Sequence, residues 1–230
     1  MKIAGLQKLT LLDYPEKTAC TVFTVGCNFR CPFCHNAELA VGGEQANVSE
    51  DEVMDYLVSR RGKIDGVCIT GGEPLLQSDV LEFMERVRSN GFLVKLDTNG
   101  SIYDKLKTIV DGKLCDYIAM DIKNVPEKYN ISAGCISDTE NIIKSVELLK
   151  NGGVEYEFRT TVVKQLNRAE DFAEIAKWLN GAKRYYLQQF RDSERVMERG
   201  YSAYSDAEMR AIRDIVIDNG LSSCCLRGID

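Results

Sequence analysis

The chain has 230 residues, 44% of them apolar, with 29 basic and 35 acidic side chains, a formal net charge of -6 and nine cysteines. This length and apolar content suffice for one packed core, and an acidic balance without a Lys/Arg-rich stripe argues against nucleic acid as the main partner. No apolar run reaches the roughly 18 residues of a membrane span and the first ten residues lack a secretory apolar stretch, so a cytoplasmic protein is expected, its thiols reduced and free for a metal or cluster rather than disulfides.

Along the chain, β-branched and aromatic runs at 19–25, 66–70, 92–97, 117–121, 155–163 and 184–190 read as strands, and helical patterns intervene. Helix starts are marked by a capping side chain with Glu three residues later: Ser49 with Glu52, Asp79 with Glu82, Ser137 with Glu140, Asn167 with Glu170 and Ser205 with Glu208. In the second of these helices Val80, Phe83, Met84 and Val87 share one face. Gly91, Gly152, Gly181 and Gly220 stand where helices should end. The strands read as near-continuous apolar runs, which suits parallel strands covered on both faces. Six βα units without a linker or repeat predict an α/β fold: a single domain over 1–230, its parallel strands curved into an open partial barrel of about (β/α)6.

Three cysteines, Cys27, Cys31 and Cys34, fall within eight residues directly after the first of these strands, where a βα barrel carries its functional loop. Three thiolates can ligate three irons of a 4Fe-4S cluster and leave the fourth open. A zinc site is the alternative; it wants four ligands and would have to recruit His35, the only histidine, which is adjacent to Cys34. Gly71-Gly72-Glu73-Pro74 ends the strand at 66–70; two glycines let backbone approach a ligand closely, although an ordinary strand-to-helix turn reads the same. Asp97, Thr98, Asp121 and Lys123 lie at two further strand ends, at the carboxyl-terminal mouth of such a barrel. Taken singly, each also reads as a helix-start residue or surface charge. Arg159 offers a planar donor fork and Gln189 a strand-end amide, and either also suits a buried structural network.

Cys-x3-Cys-x2-Cys with Phe33 before the last cysteine resembles the signature loop of the radical S-adenosylmethionine superfamily. The resemblance implies that the open iron chelates the methionine part of S-adenosylmethionine, that Phe33 packs near its adenine, and that the Gly71, Gly72 and Glu73 segment binds the methionine amino group. The segments 96–100 and 120–123 resemble those of pyruvate formate-lyase activating enzyme. By that likeness Asp97 and Thr98 act near the methionine part, Asp121 and Lys123 hold ribose and carboxylate, and Asp97, Thr98, Met120 and Asp121 offer a monovalent-cation site. Arg159 would serve a carboxylate or ribose and Gln189 the adenine, but that family has a histidine near 186–190 where this chain has none. His35 either touches the cofactor or orders the loop, and ordering is favoured because a cluster loop needs supporting hydrogen bonds.

Across the chain, Leu11-Leu12-Asp13-Tyr14-Pro15, Cys34-His35-Asn36 and Leu226-Arg227-Gly228 resemble the longer type of anaerobic ribonucleoside-triphosphate reductase activating protein. The implied activity is that of an oxidoreductase. A low-potential donor such as flavodoxin or ferredoxin reduces the cluster, S-adenosylmethionine is cleaved to methionine and a 5'-deoxyadenosyl radical, and that radical removes an α-hydrogen from a glycine of a partner glycyl radical enzyme. Anaerobic ribonucleoside-triphosphate reductase is the partner expected; pyruvate formate-lyase or another glycyl radical enzyme, or a small molecule or peptide, are the alternatives. A non-enzymatic iron-sulfur electron carrier would usually have four protein ligands and little use for polar strand ends.

Overall fold

The structure is a computed structural model that describes residues 1–42 and 46–229. Its strands are β1 (Ile3–Thr10), β2 (Ala19–Thr24), β3 (Gly66–Gly71), β4 (Leu93–Thr98), β5 (Tyr117–Asp121), β6 (Glu155–Val162), β7 (Tyr185–Gln189) and β8 (Cys224–Arg227). They form one sheet in the order β1 to β8. The helices are α1 (Ala37–Val41), α2 (Glu50–Ser59), α3 (Val80–Ser89), α4 (Tyr103–Asp111), α5 (Tyr129–Ala133), α6 (Thr139–Asn151), α7 (Ala169–Trp178) and α8 (Asp206–Asp218). None is long and apolar enough to cross a membrane.

The six expected strands are β2 to β7, all parallel as helical crossovers require. Parallel pairing brings their carboxyl-terminal ends to one side, where the cysteine loop, the Gly71–Gly72 turn and the segments at 97–100 and 121–123 leave the sheet. Two edge strands add to the expected six: β1 pairs antiparallel with β2, and β8 pairs parallel with β7. The strands alternate more than expected. Val94, Leu96, Ile118, Phe158 and Leu187 are buried in the apolar core with Val80, Phe83, Met84 and Val87 of α3. Charged residues stand on the other face: Lys95 lies beside Cys68 and shares that face with Asp97, and Arg159 lies opposite Asp121 across the β5–β6 pair. At the amino-terminal end of the strands Tyr14, from the β1–β2 loop, packs on Ala19 and Tyr117, ring to ring at 6.2 Å.

Helix starts follow the expected chemistry at Ser49 and Ser205; Asp79 stands at the start of α3 without a side-chain cap bond, its carboxylate pairing with the Met1 amino group, and two further starts are shifted. Ser49 and Ser205 close capping boxes on α2 and α8. Asp138 rather than Ser137 caps α6, accepting from Asn141 N at 3.2 Å. At α7 the boundary residue is Arg168, whose backbone N donates to Asp171 at 3.0 Å. Asn167 is used elsewhere: its side chain accepts from Val163 N at 3.0 Å and donates to Lys123 O at 3.2 Å. This bond steadies the loop that follows β5.

Candidate active site

A cavity of about 240 Å3 opens at the carboxyl-terminal ends of β2 to β6. It brings together Cys27, Cys31, Phe33, Cys34, His35, Gly71, Gly72, Glu73, Asp97, Thr98, Asp121, Lys123 and Arg159, residues from five strand ends separated by up to 132 positions in sequence. Gln189 is not among its lining residues; its Nε2 donates to Tyr204 O at 2.8 Å and to Asp206 at 2.9 Å, joining β7 to the start of α8.

The cysteine loop is held from three sides. Cys34 N donates to Cys31 O at 3.0 Å, which turns the loop on itself. Arg30 N donates to Ala133 O at 2.8 Å, and Gly134 follows at φ +66 with so little room that a Cβ would strike the Arg30 carbonyl. Between β7 and α8 the chain crosses the loop, with Met197 N donating to Cys34 O at 3.2 Å and Glu198 N to Pro32 O at 2.9 Å. His35 joins the same crossing: its Nε2 is 2.6 Å from Arg191 O, and its ring lies 5.7 Å from that of Phe190. This contact ties the loop to the segment that follows β7, and His35 also lines the cavity.

Gly71 and Gly72 are explained by packing of chain on chain. Gly71 has φ +120, and a Cβ on it would run into the Thr24 backbone; a Cβ on Gly72 would strike Gly26 O. Without side chains, Gly72 N reaches Thr24 O at 2.9 Å and Glu73 N reaches Gly26 O at 2.8 Å, so the β3 exit lies against the β2 exit that carries the cysteines. Glu73 is only 1% exposed and its carboxylate faces protein donors: Leu75 N at 3.0 Å and Thr98 Oγ1 at 2.9 Å on one oxygen, Asn99 N at 2.7 Å on the other. Burial pushes its carboxyl up to about 7, even though these three donors favour ionisation.

Opposite stands a ladder of alternating charges. Lys95 pairs with Asp97; Arg159 reaches Asp97 at 3.4 Å through Nη1 and Asp121 at 2.9 Å through Nε; Lys123 reaches Asp121 at 3.0 Å. Burial alone would raise both aspartates. Arg159 outweighs it, aided by Lys95 at Asp97 and by Lys123 at Asp121, holding Asp97 below the ordinary carboxylate range and Asp121 at about 2. Both are anions at neutral pH, and the Arg159 guanidinium stands between the two carboxylates expected to hold a monovalent cation. Lys95, only 2% exposed in the middle of β4, went unread in the sequence because lysine is ordinarily a surface residue. Its signal was a lone charge inside the run Val94–Leu96. Asn99 and Thr161 also line the cavity, without having been assigned roles.

The donor set fits a cluster better than a single ion. Among the described residues no three His, Cys, Asp or Glu side chains gather closely enough to hold one metal ion. In a cubane held by three cysteines, three of the four irons take one thiolate each, which spreads the sulfurs apart. Burial pushes the Cys27 thiol to about 12 and the Cys31 thiol to about 11, and metal ligation displaces such protons. Lys123 lies 5.9 Å from the centre of the buried Phe33 ring, so an aromatic face, two anions and a cation border the space beside the cysteines.

Residues 21–179 match the family described as the Radical SAM superfamily. A Methanocaldococcus jannaschii protein named as a glycyl-radical enzyme activating enzyme is 35% identical over 195 residues, covering 82% of this chain and 79% of that protein. The pyruvate formate-lyase-activating enzyme of Listeria monocytogenes is 34% identical over 119 residues, 47% of this chain and 48% of that enzyme. Among solved structures, Streptococcus suis SuiB bound to S-adenosylmethionine superposes with a TM-score of 0.72 at 14% identity, over 89% of this chain and 49% of SuiB, a likeness of fold.

Proposed function

The chain belongs to the Radical SAM superfamily, and from that membership we propose that it is an activating enzyme that removes a hydrogen atom from a backbone glycine of a partner glycyl radical enzyme. The observation that carries this reading is the 35% identity, over 82% of the chain, to a protein named for that activity. Family membership implies a 4Fe-4S cluster and S-adenosylmethionine, which together supply one-electron cleavage of a sulfonium carbon–sulfur bond and with it hydrogen-atom abstraction.

Cys27, Cys31 and Cys34 would hold the cluster. Phe33, the Gly71–Gly72 edge, Asp97, Thr98, Asp121 and Lys123 would surround S-adenosylmethionine: the two ionised aspartates suit its ammonium and ribose hydroxyls, and Lys123 its carboxylate. Glu73 would support this arrangement through Thr98 and Asn99 instead of reaching the ligand. Arg159 keeps Asp97 and Asp121 charged and, by standing between them, supplies the positive charge that a monovalent cation would otherwise bring. Abstraction of a hydrogen atom needs no acid–base pair, so the work of these side chains is to position the ligand and exclude water.

The finer choice of partner, anaerobic ribonucleoside-triphosphate reductase, with flavodoxin or ferredoxin as donor, rests on the sequence features at 11–15, 34–36 and 226–228. The Listeria relative supports pyruvate formate-lyase as the alternative. The test is anaerobic mixing of reduced, cluster-loaded protein and S-adenosylmethionine with each candidate, read as a glycyl doublet by electron paramagnetic resonance. A doublet with the reductase supports the finer choice. One with pyruvate formate-lyase alone overturns the partner and keeps the class, and cofactor cleavage with no doublet on any glycyl radical enzyme of the host overturns the class.

A further inference from the structure

The residues just beyond β4 form a closed hydrogen-bond ring beside Cys27. Asn99 Nδ2 donates to Asn28 Oδ1 at 2.9 Å, Asn28 Nδ2 donates to Ser101 Oγ at 2.8 Å, and Ser101 Oγ donates to Asn99 Oδ1 at 2.6 Å. Each side chain gives one bond and takes one, so the direction is consistent all the way round. Asn99 Oδ1 also accepts from Ser101 N at 2.9 Å, a backbone donor that cannot reverse. Flipping the Asn99 amide would set its NH2 against that donor, and the orientation is therefore fixed. Asn99 is 6% exposed, and its own backbone N is tied to Glu73 at 2.7 Å.

An amide NH2 has two hydrogens, and the ring uses one. The same nitrogen stands 4.0 Å from Cys27 Sγ, which already accepts from Phe29 N at 3.3 Å. We propose that Asn99 is a positioning residue for the cluster, its amide locked by the ring to donate to the Cys27 sulfur and so to raise the cluster's reduction potential. A ligating thiolate accepts more strongly than a thiol. Donation to it withdraws negative charge, which favours the reduced cluster with its additional electron, and hydrogen bonds to sulfur are among the determinants of cluster potential. Ser101 acts through Asn99 by holding the amide in register.

The test uses full-length, anaerobically reconstituted protein without S-adenosylmethionine or partner, so its result is independent of which substrate is activated. Asn99→Leu keeps the shape and removes the donor; Ser101→Ala opens the ring; Ser101→Thr restores the hydroxyl. Iron and sulfide content is measured first, then the midpoint potential by reductive titration followed by electron paramagnetic resonance. The expected result is a shift to more negative potential in Asn99→Leu with iron retained, a smaller shift of the same sign in Ser101→Ala, and return toward the wild-type value in Ser101→Thr. A cluster-loaded Asn99→Leu protein that titrates at the wild-type potential overturns the proposal. Should that variant hold no cluster, Ser101→Ala decides, and an unchanged potential there overturns it equally.

Discussion

Glu73 holds a proton that the unfolded chain would release. Its carboxyl lies at about 7 in the folded protein against 4.5 ordinarily, so between those values the folded state binds more protons. Its contribution to stability is full below about pH 4.5 and is lost as pH rises through about 7. Iron-free protein unfolded in urea should be less stable at pH 8 than at pH 5, by on the order of 1–3 kcal/mol from this group. Glu73→Gln should remove most of that slope, and an undiminished slope in the variant would assign it elsewhere. The ladder gives a prediction of a different kind. Asp121→Asn retains size but removes one anion from Arg159 and Lys123, so cofactor affinity should fall roughly tenfold or more with iron content unchanged, measured by anaerobic calorimetry; equal affinity would sink the role proposed for Asp121. Alanine at Cys27, Cys31 or Cys34 should instead abolish the cluster, read as iron content, while Cys115→Ala, in the buried core, should keep it. At this scale the sequence disclosed chemistry better than orientation. The three cysteines were legible by their close spacing and the strand-end charges by their type, which packing alone rarely places, whereas the inward turn of Glu73 and the removal of Gln189 to Tyr204 and Asp206 depend on partners distant in the chain.

The cysteine loop has no regular structure of its own between β2 and α1, so its shape is set by the elements that touch it. One is the end of α5. Gly134→Ala would place a methyl on the Arg30 carbonyl at a backbone angle unfavourable to any side chain, and either the loop or α5 must move. We expect the cluster to be stripped by a chelator several-fold faster than in the wild type, followed by its visible absorbance. Gly153→Ala is the control: φ is +75 but no neighbouring atom lies within 4 Å, so it should cost about 1 kcal/mol in stability and leave the stripping rate alone. Equal rates in all three proteins would mean that α5 does not support the loop. The six central strands were legible as apolar β-branched runs, because burial against helices demands that composition. The edges were not. β1 is irregular, with register shifts after Ile3 and Gln7, and β8 has four residues, two of them the cysteines Cys224 and Cys225. What fixes β8 is nonlocal: Arg227 forks onto Glu157 at 2.7 and 2.9 Å and stacks 3.5 Å from the Tyr186 ring centre.

At the scale of the molecule the sheet remains open: pairing runs from β1 to β8 and does not join those two strands to each other. One face of this open sheet carries the charged ladder and the Glu157–Arg227 pair. Such a face can solvate the polar backbone of an extended peptide, which a closed apolar barrel could not do. On the proposed function, what must be delivered to the cavity is a short glycine-bearing segment of the partner. Its ordering would cost binding energy, making a transient complex of modest affinity reasonable. A synthetic peptide spanning the partner's glycine, deuterated at that Cα, should then be a slow substrate, passing deuterium into 5'-deoxyadenosine detectable by mass spectrometry. Replacing that glycine by alanine in the peptide should suppress transfer, because the added methyl crowds the position from which hydrogen is taken. Deuterium transfer from the intact partner but none from saturating peptide would show that the partner's folded surface, and not the charged face of the sheet, selects the glycine.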